Sequence, residues 1–428
     1  MKKFIKSFAN LELAIFLLLL IAFFSGLGSI IEQDKSIDFY IKNYSKIILG
    51  LPTWKYLKVL DLDHIYSAWW FFSLLFVFGV CLLSCTFSQQ FPALKFARRY
   101  YFYTYSSQFN KLKFSFASEK PLKGQVCFRL IQEDYAVFQK QSCFYGYKGL
   151  IGRLGPVVVH LSIICILLGS ILGALKGFSA QEFVPKSEIF HVQNIVKSGY
   201  FSKVSQKAFR VNDFWVNYNK TGLIKQFQSD ISILSGQGDE IIRKTISVNN
   251  PLVNEGLTLY QTDWGISGLR LKFINKDRII QLPVSKVLES SQKVWVSWLP
   301  LNIKEKTGIL LVLNNARGKI DFFTQNAQFL GRNSIGQTSL LTSLININIV
   351  DFISSTGIQI KTDPGIQTIY LGFAFLILSS FISYVSFSEI WFLQTTTNAL
   401  FGGQSNRAKI KFKLEILKLK KVFSKKKA

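Results

Sequence analysis

His160 is the residue whose type and position demand a chemical explanation. It stands inside the apolar stretch Leu154–Leu175, where an ionisable side chain is costly and normally faces protein or a cavity rather than lipid. Neutral imidazole is a common ligand for metals and for haem iron; a buried histidine hydrogen-bonded across helices would give the same sequence. The other histidines, His64 and His191, lie outside the apolar stretches. Of the five cysteines, Cys81 and Cys85 are spaced i,i+4, unlike the C-x-x-C of a redox pair, and read as small packing residues. C-x-x-C-H does not occur, so the chain is not expected to carry covalent haem itself.

The elements that must position His160 are membrane helices. The stretches Leu11–Ile31, Ala68–Phe87, Leu154–Leu175 and Ile366–Phe387 each have about 20 residues, the length that crosses a hydrocarbon core roughly 30 Å thick. A polytopic α-helical membrane protein with four transmembrane helices is expected. Basic residues near span ends resist translocation. The N-terminus carries Lys2, Lys3 and Lys6, residues 89–153 hold 11 basic against 3 acidic side chains, those after Phe387 hold 10 against 2, and Glu32–Ser67 holds 5 and 5. Both termini and the 89–153 loop are therefore expected on the cis (cytoplasmic or stromal) side, with Glu32–Ser67 and residues 176–365 on the trans (lumenal) side.

The net charge of +26 is then a topology signal and an attraction to anionic membrane lipids. Nucleic acid is not an expected partner, because the basic runs flank spans. The start, Met1–Lys6 before an apolar run, has the makings of a cleavable signal. Asn10 as a helix cap, Glu12 in the first turn and the absence of a small-x-small site before Glu32 make it a span instead. An Arg/Ser-rich transit peptide is absent, so no import step is expected. Abundant Phe and Lys with a single Met fit an AT-rich organelle genome.

The trans-side segment reads as a large, mostly β domain, a sandwich or open barrel. Strands are expected at Phe209–Tyr218, Ile224–Leu234, Ile241–Val248, Leu257–Trp264, Leu269–Ile274, Arg278–Val284, Ile309–Leu313 and Lys319–Thr324, with turns at Ser235–Asp239, Asn249–Pro251 and Asn314–Gly318. Phe227, Ile231 and Ile233 share one parity, as do Ile242, Ile246 and Val248, which buries one face of a hairpin. The segment has no cysteine and one histidine, and no G-x-G-x-x-G, Walker loop, H-E-x-x-H or G-x-S-x-G. Thiol exchange, hydrolysis and dehydrogenation are hard to build from such residues. Trp215, Trp264, Trp295 and Trp298 are expected mostly in its core.

Several separated strings resemble the ResB/CcsB family of cytochrome c biogenesis proteins: "LELAIFLLLLIAFFSGLGSIIEQ", "GRLGPVVVHLSIICILLGSILG", "NDFWVNYNKTGLIKQFQSDISIL" and "RKTISVNNPLVNEGLTLYQTDWGI". The resemblance runs from the first span to the last. It implies a non-catalytic subunit of the system II machinery, which carries haem across a membrane and helps attach it to apocytochrome c. The implied partner is a CcsA-type polytopic protein with a WWD motif. Here Trp69-Trp70 is followed by Phe71, and an interfacial aromatic belt explains the pair. The family's matching third-span histidine is taken to ligate haem, which makes His160 one axial ligand of a haem b held transiently and shared with the partner. The other ligand would be a histidine of that partner, since His64 and His191 belong to the trans side; either could help haem leave or be an ordinary loop residue. A plastid thylakoid membrane is implied, with a bacterial inner membrane as the alternative location. The competing function is a membrane assembly scaffold or chaperone without haem contact.

On a helical wheel Gly155, Ser162, Gly169 and Gly173 fall within about 40° of one another, with His160 opposite. The small face should admit a neighbouring helix of the same chain, leaving His160 to point to a partner or a slot among Ile164, Leu167 and Ile171. Arg153 is placed seven residues earlier on the same side as His160, roughly 10 Å toward the cis surface at 1.5 Å per residue. That is the reach from haem iron to a propionate, and equally the place of an inside-positive anchor. Phe412, Ile416, Leu419 and Phe423, with Lys around them, suit a basic helix on the cis headgroups or a disordered basic tail. The chain thus divides into 1–88 (N-terminus and first two spans), 89–153 (cis loop), 154–175 (third span), 176–365 (trans β domain), 366–387 (fourth span) and 388–428 (cis tail).

Overall fold

The computed structural model describes residues 8–48, 51–119, 121–220, 223–273, 278–287, 294–302, 307–313, 317–342, 345–396 and 398–424. Lys2, Lys3, Lys6, Ile274 and the turn residues 314–316 lie outside them. Two compact units result, Met1–Leu172 with Gly365–Ala428, and Gly173–Pro364.

Among the described residues four helices are long and apolar enough to cross a membrane: Leu11–Ile30, Trp69–Ala97, Leu150–Lys176 and Ile366–Tyr384. Asn10 caps the first, its side-chain oxygen accepting from the Glu12 N–H at 3.0 Å. The second runs as α-helix over Trp69–Cys85, passes through a π-turn at Thr86–Gln90 and resumes over Phe91–Ala97. Leu17, Phe78, Cys81 and Leu82 form a buried cluster with Ile163, Ile164 and Leu167 of the third helix against it, so Cys81 is indeed a packing residue.

The small face meets the fourth helix. A Cβ on Gly155 would stand 2.2 Å from Ser383 Oγ, and one on Gly372 2.9 Å from the Ser162 carbonyl oxygen. Such approach is open only to backbones without bulk between them.

Residues expected as a cis loop and a basic tail fold together instead. Their antiparallel sheet has the order Phe114–Ser118, Ala399–Ser405, Ser388–Gln394, Cys143–Lys148, Ala136–Lys140. Successive side chains of its central strands point to opposite faces. Phe144, Ile390, Phe392 and Phe401 are buried with Val126 and Leu130 of the helix Lys123–Gln132 and Phe412, Ile416 and Leu419 of the helix Lys409–Ser424. The C-terminal helix exists as expected, but its apolar stripe packs on protein rather than on headgroups, with Phe423 partly buried on the same core. Tyr145, Trp391 and Leu393 pack on the other face, where Trp391 stacks on Tyr103 at 4.5 Å and its indole N–H donates to the Tyr101 carbonyl at 2.7 Å. Within this split domain the Tyr145 hydroxyl donates to Glu389 at 2.7 Å, and Glu415 accepts from Tyr135 and Lys148, each at 3.0 Å. Burial, reinforced by these carboxylates, pushes both phenols well above their ordinary range.

The second unit is antiparallel β, as expected. A four-stranded sheet holds Ala208–Tyr218, Ile224–Leu234 and Glu240–Ser247; a five-stranded sheet includes Trp295–Asn302, Thr307–Leu313, Lys319–Thr324 and Phe329–Ser334. A seven-stranded sheet is built on two long strands, Leu257–Phe273 and Ile345–Thr362. One end of these strands packs with Phe209, Ile231 and Ile246, and the other with Trp295, Leu311 and Phe322. Bulges between Gln261 and Asp263 and between Ile266 and Gly268 shift the parity of buried residues from Leu257 and Leu259 to Trp264 and Ile266, then to Leu269 and Leu271. The expected hairpin buries Ile231, Ile233 and Ile246, but Val248 is exposed beyond the paired strand. Trp264 and Trp295 are core, 5.0 Å apart between ring centroids; Trp298 is exposed and Trp215 only half-buried.

Candidate functional site

The third helix carries His160 half-buried, and the second supplies its partner. His160 Nδ1 lies 2.9 Å from Thr86 Oγ1. Thr86 is 7% exposed, and its hydroxyl donates back along its own helix to the Leu82 carbonyl at 2.7 Å. Sequence reasoning missed Thr86. The signal available was a hydroxyl residue closing an apolar span, ordinary in itself, and the π-turn that begins there has no obvious sequence mark. His160 thus engages its own chain through Nδ1. The slot expected among Ile164, Leu167 and Ile171 is partly filled, since Ile164 and Leu167 pack on the first two helices.

Arg153 ends a short 3-10 turn, Leu150–Arg153, and the α-helix begins at Gly155. Its guanidinium lies over the Phe387 ring, 4.8 Å from the centroid. Among the described residues its buried Nε has no hydrogen-bond partner. His160 is therefore held by the second helix and Arg153 by the chain just past the fourth.

The remaining histidines are set differently. His64 Nδ1 is 3.1 Å from Asp63 Oδ1 and its Nε2 3.4 Å from Asp61 Oδ1. Burial would raise the Asp63 carboxyl, but the Lys58 ammonium at 2.6 Å and the His64 ring outweigh it and hold it below the usual carboxylate range. His191 is exposed beside Gln193.

Whether these residues fit a haem turns on what the donor set lacks. Among the described residues no group of three or more His, Cys, Asp or Glu could hold a metal ion. A bare cation would need such a group. Haem iron arrives with its ring nitrogens already bound and asks the protein only for axial ligands. A single intramembrane imidazole, engaged at one nitrogen, fits that requirement.

Four membrane-crossing helices, a histidine fixed between two of them and a large antiparallel β domain define a polytopic membrane protein with a candidate intramembrane ligand. The model of the ResB-like family matches residues 11–314 and 307–417, and the chain belongs to that family. It is 45% identical over 413 residues to "Cytochrome c biogenesis protein Ccs1" of Phaeodactylum tricornutum, covering 96% of this chain and 97% of the relative. It is 46% identical over 424 residues to the protein of the same name from Heterosigma akashiwo, covering 96% and 97%. "Cytochrome c biogenesis protein CcsB" of Microcystis aeruginosa is 42% identical over 422 residues, covering 97% and 94%.

Proposed function

We propose that this chain is a subunit of a system II cytochrome c biogenesis complex, needed for haem delivery across the membrane and haem attachment to apocytochrome c. The observation that carries the haem step is His160, an imidazole within a span, engaged at Nδ1 by Thr86. Membership of the ResB-like family and near-full-length likeness to cytochrome c biogenesis proteins support the wider role. The charge balance of the loops supports the split domain on the cis side and the large domain on the trans side. Relatives from algae and cyanobacteria favour a thylakoid membrane.

In this account the chain binds and positions, and does no covalent chemistry of its own. His160, together with a histidine of a CcsA-type partner, would hold a haem b, and that group would supply the vinyl carbons needed for its attachment to apocytochrome c. Arg153, whose Nε has no hydrogen-bond partner among the described residues, would offer a cation to a propionate. The β domain would hold the apocytochrome segment.

The test is an absorbance spectrum of the purified complex with its partner, wild type against His160→Ala. The variant should accumulate and bind the partner yet lack intramembrane haem, while His160→Cys retains part of it through a thiolate. Unchanged haem in His160→Ala would end the ligand assignment and favour an assembly scaffold.

A further inference from the structure

The contacts of Thr86 bear on where the imidazole proton of His160 sits. A hydroxyl has one proton to give. Thr86 Oγ1 is 2.7 Å from the Leu82 carbonyl oxygen, which can only accept, and 2.9 Å from His160 Nδ1. With the threonine proton committed to Leu82, the proton between Thr86 and His160 must belong to Nδ1. The reverse arrangement, Thr86 donating to Nδ1, would leave the Leu82 carbonyl with the Thr86 backbone N–H alone and the imidazole N–H on Nε2, without the threonine as acceptor. In a hydrocarbon setting an unmatched polar group is costly. Neutral histidine side chains in water favour the opposite tautomer, with the proton on Nε2, so the protein has to impose this one.

We propose that Thr86 is a positioning residue that fixes His160 in the Nδ1–H tautomer and so presents Nε2 as a bare lone pair, ready to ligate iron. The ligand function rests on the proposed haem role; the tautomer does not. Metal-binding histidines are commonly oriented in this way through their second nitrogen. Here the orienting acceptor is a neutral hydroxyl tied to its own helix, which fixes the ring without placing a charge in the membrane.

Three histidines in the whole chain make the test tractable. Full-length, haem-free protein in lipid vesicles is labelled with 15N-histidine and examined by solid-state NMR, the His160 signals being assigned by their loss in His160→Ala. Wild type should show a protonated Nδ1 and an unprotonated Nε2. Thr86→Val, which keeps the shape and removes the acceptor, should move that signal to a mixture of tautomers; Thr86→Ser should restore it. A wild-type His160 protonated on Nε2, or a Thr86→Val spectrum identical to wild type, would overturn the proposal. In a second arm, the complex with its partner is titrated with haem. Thr86→Val should bind about 10–100-fold more weakly and Thr86→Ser close to wild type; equal affinity in Thr86→Val would remove the functional role given to the tautomer. Correct tautomers in a wild-type complex that binds no haem would sink the haem reading and leave the assignment of Thr86 intact.

Discussion

The Phe412 ring fills the space above Gly403: a methyl group on that glycine would stand 2.6 Å from Phe412 Cζ and 2.9 Å from the Glu389 carbonyl oxygen. The C-terminal helix is therefore keyed into a strand of the split domain. A lysine-rich segment that composition presents as a tail is part of a core.

Phe412→Ala should cost the split domain about 3–5 kcal/mol, the usual range for a large buried aromatic. Amide exchange of the strand Ser388–Gln394 in the full-length protein measures it, and protection should fall sharply. Unchanged protection would mean that the helix rests on headgroups after all.

The third and fourth helices should tolerate no bulk between them. A Cβ on Gly169 would lie 2.7 Å from Ile369 Cγ1 and 2.9 Å from the Gly365 carbonyl oxygen. Gly169→Ala should cost about 1–3 kcal/mol and Gly169→Ile should lower the steady-state amount of protein by immunoblot. Normal levels with normal cytochrome assembly would show this face to be free of the fourth helix.

Asp321 gives the large domain a pH dependence with a defined sign. The Arg332 side chain, at 2.5 Å, holds its carboxyl below the ordinary range, against burial, which would raise it. A carboxyl with a depressed folded pKa stabilises above its unfolded value, about 3.9, and that contribution is lost as pH falls through the folded value. Amide protection across Lys319–Thr324 should therefore decline below about pH 4 in wild type. Arg332→Gln should show lower protection at neutral pH and a flatter acid response; identical profiles would remove the pair from the account.

Replacing residues 180–360 with an unrelated β domain separates the two halves of the proposed function. Cytochrome c yield should collapse while haem stays at the intramembrane site, as recorded by haem spectra and cytochrome staining. Loss of intramembrane haem in a stable, partner-bound chimaera would place the large domain in haem capture.

The spans, the Asn10 cap, the small face and most strands were legible because each is a local pattern: a run of apolar residues, a capping side chain, a parity. What escaped depends on pairing between distant segments. Leu257–Phe273 reads as two strands because its bulges break the alternation. Ile345–Thr362 carries polar residues inside a long strand, and Ser388–Gln394, buried on both faces, looks like a continuation of the fourth span. His160 announced itself by cost, since a titratable side chain in hydrocarbon is rare. Thr86 could not, because a threonine that bonds to its own helix is unremarkable until its neighbour is known.

The strand Cys143–Lys148 pairs with Ser388–Gln394, and the bond between Tyr145 and Glu389 joins residues 244 positions apart. During synthesis the earlier strand emerges long before its neighbour exists, and an unpaired apolar strand is a liability while it waits. The sheet can close only after the fourth helix has been made and its C-terminal end returned to the side where the first half of the sheet stands. A chain inserted with one helix too few would deliver Ser388–Gln394 to the opposite face of the bilayer and leave the earlier strand without its mate. Closure of this small domain thus depends on the fourth helix having been made and inserted, because one strand of the central pair precedes the third helix and the other follows the fourth.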